Sequence, residues 1–115
     1  MTETARDAIV SFLPNGQIIL FNRQAERIFG YGKREALGVS VKQLLHEDCA
    51  AQAGTDIEAY LERQVERLTR EVRTIACRRR DGERLLLELS LSVAESEGHL
   101  FYTAILREKE SPADK

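Results

Sequence analysis

Strand pairs fence this chain at both ends, and the helical middle they enclose leaves few architectures open. Residues Ala8–Leu13 read AIVSFL, and after Pro14-Asn15-Gly16 the run Gln17–Phe21 reads QIILF. Two β-branched-rich runs joined by Asn-Gly predict a hairpin, because Asn and Gly accept the positive φ that tight hairpin turns need. Further on, Val72–Arg79 (VRTIACRR) is followed by Asp81-Gly82 and then by Leu85–Val93 (LLLELSLSV), which predicts a second hairpin. In that run Leu85, Leu87, Leu89, Leu91 and Val93 alternate with Leu86, Glu88, Ser90 and Ser92, so one face is core and the other mostly polar. Glu95–Gly98 turns the chain into a last strand, His99–Leu106 (HLFYTAIL), and after Arg107 the apolar content collapses into a tail expected to fray.

Between the strand pairs the signals are helical. Asn22 stands where an N-cap is wanted, Glu26 lies within reach of the first turn, and Ala25, Ile28 and Phe29 follow at helical spacing. A short helix over Arg23–Phe29, ending at Gly30, is predicted. Lys33–Leu45 holds two short pieces, KREALG and VKQLL, with Gly38 as the stop between them. The longest helix spans Asp56–Thr69, where Ile57, Tyr60, Leu61, Val65 and Leu68 form one face. Glu58, Glu62, Arg63, Glu66, Arg67 and Arg70 form the other, a solvated or partner-facing surface. Two strands, several helices and three strands suit an α+β fold: one antiparallel sheet with its helices on one face.

Composition narrows the function classes. A chain of 115 residues makes one domain that buries roughly two-thirds of its unfolded surface. Seventeen Lys and Arg against nineteen Asp and Glu give a net charge of −2, which supplies no field for nucleic acid or anionic lipid. No run of about 18 apolar residues exists to cross a bilayer, and Met1–Asp7 lacks the apolar core and basic start of a signal peptide. A cytoplasmic location is the expectation. Cys49 and Cys77, too few for a disulfide framework, are expected as free thiols.

The segment DAIVSFLPNGQIILFNRQAERIFGYGKREALG, together with RRRDGERLLLELSLS and FYTAILRE, resembles the PAS domain family, closest in pattern to the PAS domains of bacterial sensor kinases. The resemblance implies a five-stranded antiparallel sheet with the short helices and one longer helix cupped over one face, often around an apolar cavity. It implies a sensor or relay module of a signal-transduction protein, as in two-component systems. Such a module binds a small molecule or changes dimer geometry to regulate an attached effector such as a histidine kinase or diguanylate cyclase. The alternative is a ligand-free protein-interaction domain that only mediates dimerisation. On either reading the domain itself is not an enzyme, and the partners are a second copy and an effector domain of the parent protein. Pairing is expected through the outer sheet face, at Leu86, Leu13 and either Phe101 or Tyr102, and through an N-terminal flank. The expected division is residues 1–6 as that flank, 7–107 as the domain, and 108–115 as tail or linker start. The family often ends in Asp-Ile-Thr before a signalling helix; here Glu108, Lys109 and Glu110 keep only the charge of the first.

No cofactor is assigned. The resemblance to oxygen-sensing haem domains implies a His on the long helix, but Asp56–Thr69 contains none; His46 precedes it and His99 begins the last strand. Ligation of haem iron by Cys49 or Tyr60 stays open. The Asn-Cys-Arg-Phe-Leu-Gln block of photoreactive flavin domains is absent. In His46-Glu47-Asp48-Cys49, adjacent ligands rarely close on one tetrahedral ion, so no metal site is expected. Arg78-Arg79-Arg80 alternates across a strand and forms no single patch, and no catalytic constellation is apparent. The positions expected to line a cavity are Ile28, Leu44, Tyr60, Leu61, Ile75, Leu89, Thr103 and Ile105.

Overall fold

In the computed structural model, which describes residues 7–45 and 57–108, strands β1 (Ala8–Phe12) and β2 (Ile18–Phe21) lead into helices α1 (Arg23–Phe29) and α2 (Lys33–Ala36). A 3₁₀ turn (Val41–Leu44), helix α3 (Ile57–Arg70) and strands β3 (Arg73–Arg78), β4 (Arg84–Ser96) and β5 (His99–Glu108) follow. All strand pairs are antiparallel and form one sheet of order β2-β1-β5-β4-β3, so the first and last strands lie side by side at its centre.

The two turns foreseen at Asn15-Gly16 and Asp81-Gly82 are copies of each other. In the first, Leu13 N–H donates to Gln17 O at 2.9 Å and Gly16 N–H to Leu13 O at 2.7 Å; in the second, Arg79 N–H donates to Glu83 O and Gly82 N–H to Arg79 O, both at 2.8 Å. Only the glycines enter the left-handed region, Gly16 at φ 93° and Gly82 at φ 94°. Asn15 therefore does not adopt the positive φ expected of it. Its Oδ1 accepts from Gln17 N–H at 2.9 Å, as Asp81 Oδ1 accepts from Glu83 N–H at 2.9 Å. The loop is a three-residue hairpin with a glycine bulge, in which the Asx side chain fixes the turn from outside the backbone. At the third turn, Glu97 (φ 53°) and Gly98 (φ 81°) both take positive φ, the signature of a two-residue hairpin loop.

Helix α1 starts where its cap predicts. Asn22 Oδ1 accepts from Ala25 N–H at 2.9 Å, and Gly30 closes the helix in the left-handed region with its N–H on Glu26 O. Glu26 reaches forward instead of back to its own first turn: its Oε2 accepts from Lys33 N–H at 2.6 Å. The core between helices and sheet is one apolar cluster that includes Val10, Phe12, Ile18, Phe21, Phe29, Leu87, Leu91 and Tyr102. The Phe12 and Tyr102 rings stack at 5.5 Å and the Phe21 and Phe29 rings tilt together at 6.1 Å. Leu87 and Leu91 are buried and Leu85 and Leu89 half-buried, but Val93, the last of the expected inward row, is 41% exposed. The reason is the sheet's edge: β3 stops pairing at Leu89, and beyond it β4 is paired with β5 alone.

Candidate functional site: the inner cluster and the outer sheet face

Four of the eight nominated cavity positions share one apolar assembly. Ile28 on α1 and Leu44 at the end of the 3₁₀ turn are buried in the core, and Ile75 on β3 and Leu89 on β4 pack half-buried against it. Tyr60 and Leu61 lie on α3, but their side chains fall outside the described residues. Thr103 and Ile105 are corrected. Strand β5 buries Tyr102, Ala104 and Leu106, and alternation turns Thr103 and Ile105 to the opposite face of the sheet. HLFYTAIL is apolar in both phases, so periodicity alone leaves the phase open; pairing with β4 sets it, with Leu91 opposite Ala104 and Ser90 opposite Ile105.

The residues that fill most of the inner space are not among the eight nominated cavity positions, although the leucine alternation of β4 already places Leu85 and Leu87 on the core face. Phe21, Phe29, Leu87 and Cys77 are almost fully buried, and Val41 and Leu85 pack against them. Cys77 is buried and sits opposite Leu85 in the inward row of β3. Cys49, and the His46–Cys49 run with it, lies outside the described residues. Among the described residues no three His, Cys, Asp or Glu side chains gather as a metal site. A haem held by a histidine of the long helix does not fit this chain, because α3 reads IEAYLERQVERLTR, and His99 is exposed at the start of β5.

The outer face carries part of the exposed apolar area, the rest standing at Val72, Leu100 and other positions off that face. Leu20 on β2 and Leu86 on β4 are each 45% exposed and Ile105 on β5 is 37% exposed, with Ile9 and Phe101 half-buried in the same phase. The choice between Phe101 and Tyr102 is thereby decided: Phe101 faces outward and Tyr102 belongs to the core. Leu13 is half-buried at the first turn. Ile9 stands opposite Ile105, and beside them Ser11 and Thr103 hydroxyls meet at 3.0 Å. Leu20, Ile9 and Ile105 were not foreseen as an outward set, since β1 and β2 alternate weakly.

The arginine run dissolves into separate jobs. Arg79 Nε lies 3.9 Å from Glu83, while Arg80 Nη1 donates to Glu35 Oε1 at 2.7 Å and its guanidinium lies 5.9 Å from the Tyr31 ring centre. Arg80 N–H also donates to Phe29 O at 2.8 Å, so the β3–β4 turn is clasped to the α1–α2 junction. Glu35 Oε1 accepts from Gly32 N–H at 2.8 Å as well. That backbone bond first, and then Arg80, hold the Glu35 carboxyl below its ordinary value. On α3, Glu62, Arg63, Glu66, Arg67 and Arg70 are exposed, as the helical pattern requires. No helix among the described residues is long and apolar enough to cross a membrane.

Comparison with known proteins yields one consistent family. A family model described as PAS domain matches residues 6–109. The sensor protein FixL of Bradyrhizobium diazoefficiens is 30% identical over 105 residues, covering 91% of this chain and 21% of FixL. The oxygen sensor protein DosP of Escherichia coli is 26% identical over 94 residues, covering 82% of this chain and 12% of DosP. The chain thus spans only a small part of either relative. Among solved structures, the PAS domain of an HTR-like protein from Haloarcula marismortui superposes with a TM-score of 0.73 at 26% identity, covering 93% of this chain and 84% of that one.

Proposed function

This chain belongs to the PAS domain family, and from that premise we propose that it is the sensor and relay module of a larger signalling protein, pairing with a second copy through its outer sheet face. The observation that carries the pairing is the two-sided apolar character of the sheet. Helices cover one face, while Leu20, Leu86, Ile105, Ile9 and Phe101 crowd the other. Apolar groups clustered on an outward sheet face favour a partner of similar character, and hydroxyls of Ser11, Thr103, Ser90 and Ser92 between them let two such faces approach closely. A ligand held among Ile28, Leu44, Ile75 and Leu89, or a change at a chain end, would shift the population between two packings of the paired sheets. The attached effector, such as a histidine kinase or diguanylate cyclase, reads that shift.

Sedimentation equilibrium combined with native mass spectrometry tests this. The protein is expected to dimerise, and Ile105→Glu to weaken the dimer by roughly tenfold or more, since it places a charge at a desolvated contact. Ser92→Glu, on the same face beside Thr103, acts as an independent second probe. A monomer at high protein concentration, or a dimer indifferent to both substitutions, overturns the pairing. The native mass decides between the two modes: bound small molecule supports a ligand sensor, and a bare dimer supports the ligand-free interaction domain.

A further inference from the structure

The chain arrives at and leaves this domain at one corner. Ala8 pairs with Leu106 where β1 begins and β5 nears its end, which brings Asp7 beside Arg107. The Asp7 carboxylate accepts from Arg107 Nε at 3.0 Å and from Nη2 at 3.4 Å, a fork-on-fork contact that fixes orientation as well as distance. The same residue is gripped from behind: its backbone carbonyl accepts from Asn22 Nδ2 at 3.2 Å. Asn22 Oδ1 in turn accepts from Ile9 N–H and from Ala25 N–H, both at 2.9 Å. One carboxylate and one carboxamide therefore join the incoming strand, the first turn of α1 and the outgoing strand. Glu88 stands opposite Arg107 on β4, so the guanidinium has carboxylates on both sides and lies at the margin of the outward apolar set, one row from Ile9 and Ile105.

This corner needs no such linkage for folding alone. An exposed ion pair adds little to global stability, and the backbone ladder already joins β1 to β5 over five residue pairs, Ala8↔Leu106 to Phe12↔Tyr102. What the ion pair adds is a fixed relation between the two ends of the domain, at residue 7 and at residue 107. We infer that the Asp7–Arg107 ion pair, seated on Asn22, couples the segment leading into the domain to the segment leading out of it, so that a displacement of either is felt by the other at this corner. The inference rests on the relay reading above and supplies its route. Asp7 and Arg107 act as positioning residues, and coupling of this kind is reciprocal: each segment must respond to a change made in the other.

Backbone amide NMR of the whole chain with Asp7→Asn, Arg107→Gln, the double variant and the charge-reversed pair Asp7→Arg with Arg107→Asp provides the test. Arg107→Gln is expected to move the amide signals of residues 1–6, and Asp7→Asn those of residues 109–115. The double variant should move them no further than the singles, and charge reversal should return both sets toward their original positions. Amide exchange near Ala8 and Leu106 should rise about two- to fivefold in the single variants, with α1 and the β3–β4 hairpin unchanged. Shifts confined to the mutated strand, independent additive effects of the two substitutions, or a uniform rise in exchange across the sheet overturn the inference. None of these readouts needs a ligand or a dimer, so a failure here is separate from a failure of the sensor reading, which the mass and sedimentation measurements decide.

Discussion

Asn22→Ala removes more than a helix cap, and the size of its effect can be worked from three side-chain hydrogen bonds. Oδ1 accepts from Ala25 N–H in α1 and from Ile9 N–H in β1, and Nδ2 donates to Asp7 O. Loss of the cap alone costs about 0.5–2 kcal/mol. A partly buried N–H of Ile9 left without its acceptor adds about 1–2 kcal/mol, within the range for unsatisfied backbone groups. The total expected is about 1.5–4 kcal/mol, large against the roughly 5–15 kcal/mol that holds a domain of this size together. Asn22→Asp keeps both acceptor bonds and a carboxylate at a helix N-terminus, forfeiting only the donor to Asp7 O, so about 1 kcal/mol or less is expected. Urea unfolding followed by circular dichroism measures both. Asn22→Ala should lower the midpoint by about 1–2 M at unchanged slope, and Asn22→Asp by a fraction of that. Equal losses for the two variants would refute the reasoning, because they would show that the oxygen's double acceptance is not what the position contributes.

The other expectations follow from single local features. Glu97 sits at φ 53° in a two-residue loop, so Glu97→Asn, which tolerates that region, should stabilise the protein by about 0.5–1 kcal/mol and raise the melting temperature by a few degrees in calorimetry. Glu35 has a lowered pKa, and a depressed carboxyl stabilises the folded state above its ordinary value of 4.5 and loses that contribution as pH falls through the folded value. Wild type should therefore lose stability below about pH 4.5 more steeply than Glu35→Gln, and parallel acid titrations of the two would contradict the bonds that Gly32 N–H and Arg80 make to Glu35. Cys77 is almost fully buried in the inward row of β3, so in a Cys49→Ser background its thiol should resist alkylation until the protein unfolds. Rapid labelling under native conditions, read by mass, would place it elsewhere.

How far the sequence speaks for the structure differs element by element. Asn22, Gly30 and the two Asx-Gly dipeptides are legible because the bonds that define their caps and turns are local, joining residues no more than four apart. Strand β4 is legible because serines and Glu88 interrupt its leucines on one face only, which fixes which side meets the core. The Arg80–Glu35 bond joins residues 45 positions apart, and no pattern within either segment announces the other. Helix α3 has a clear apolar stripe in sequence, and its charged face is exposed as the helical period requires.

Strand β5 is the instructive failure, since its ambiguity has a physical origin. A strand with one solvated face must alternate apolar and polar residues, and its phase can be read at sight. In β5 the residues from Leu100 to Leu106 are apolar on both faces, Thr103 apart, so either phase fits the sequence and the one that turns Thr103 and Ile105 inward is not the one the strand adopts. That composition suits a strand at the centre of the sheet that buries Tyr102, Ala104 and Leu106 on one side and presents Phe101 and Ile105 on the other. Were the outer face meant for water alone, Ile105 at 37% exposure and Leu86 at 45% would be replaceable by Thr or Lys without penalty, and solubility would favour the change. The same absence of alternation that hides the register puts apolar side chains on both faces of β5, with Tyr102, Ala104 and Leu106 buried on the helix side and Phe101 and Ile105 on the other.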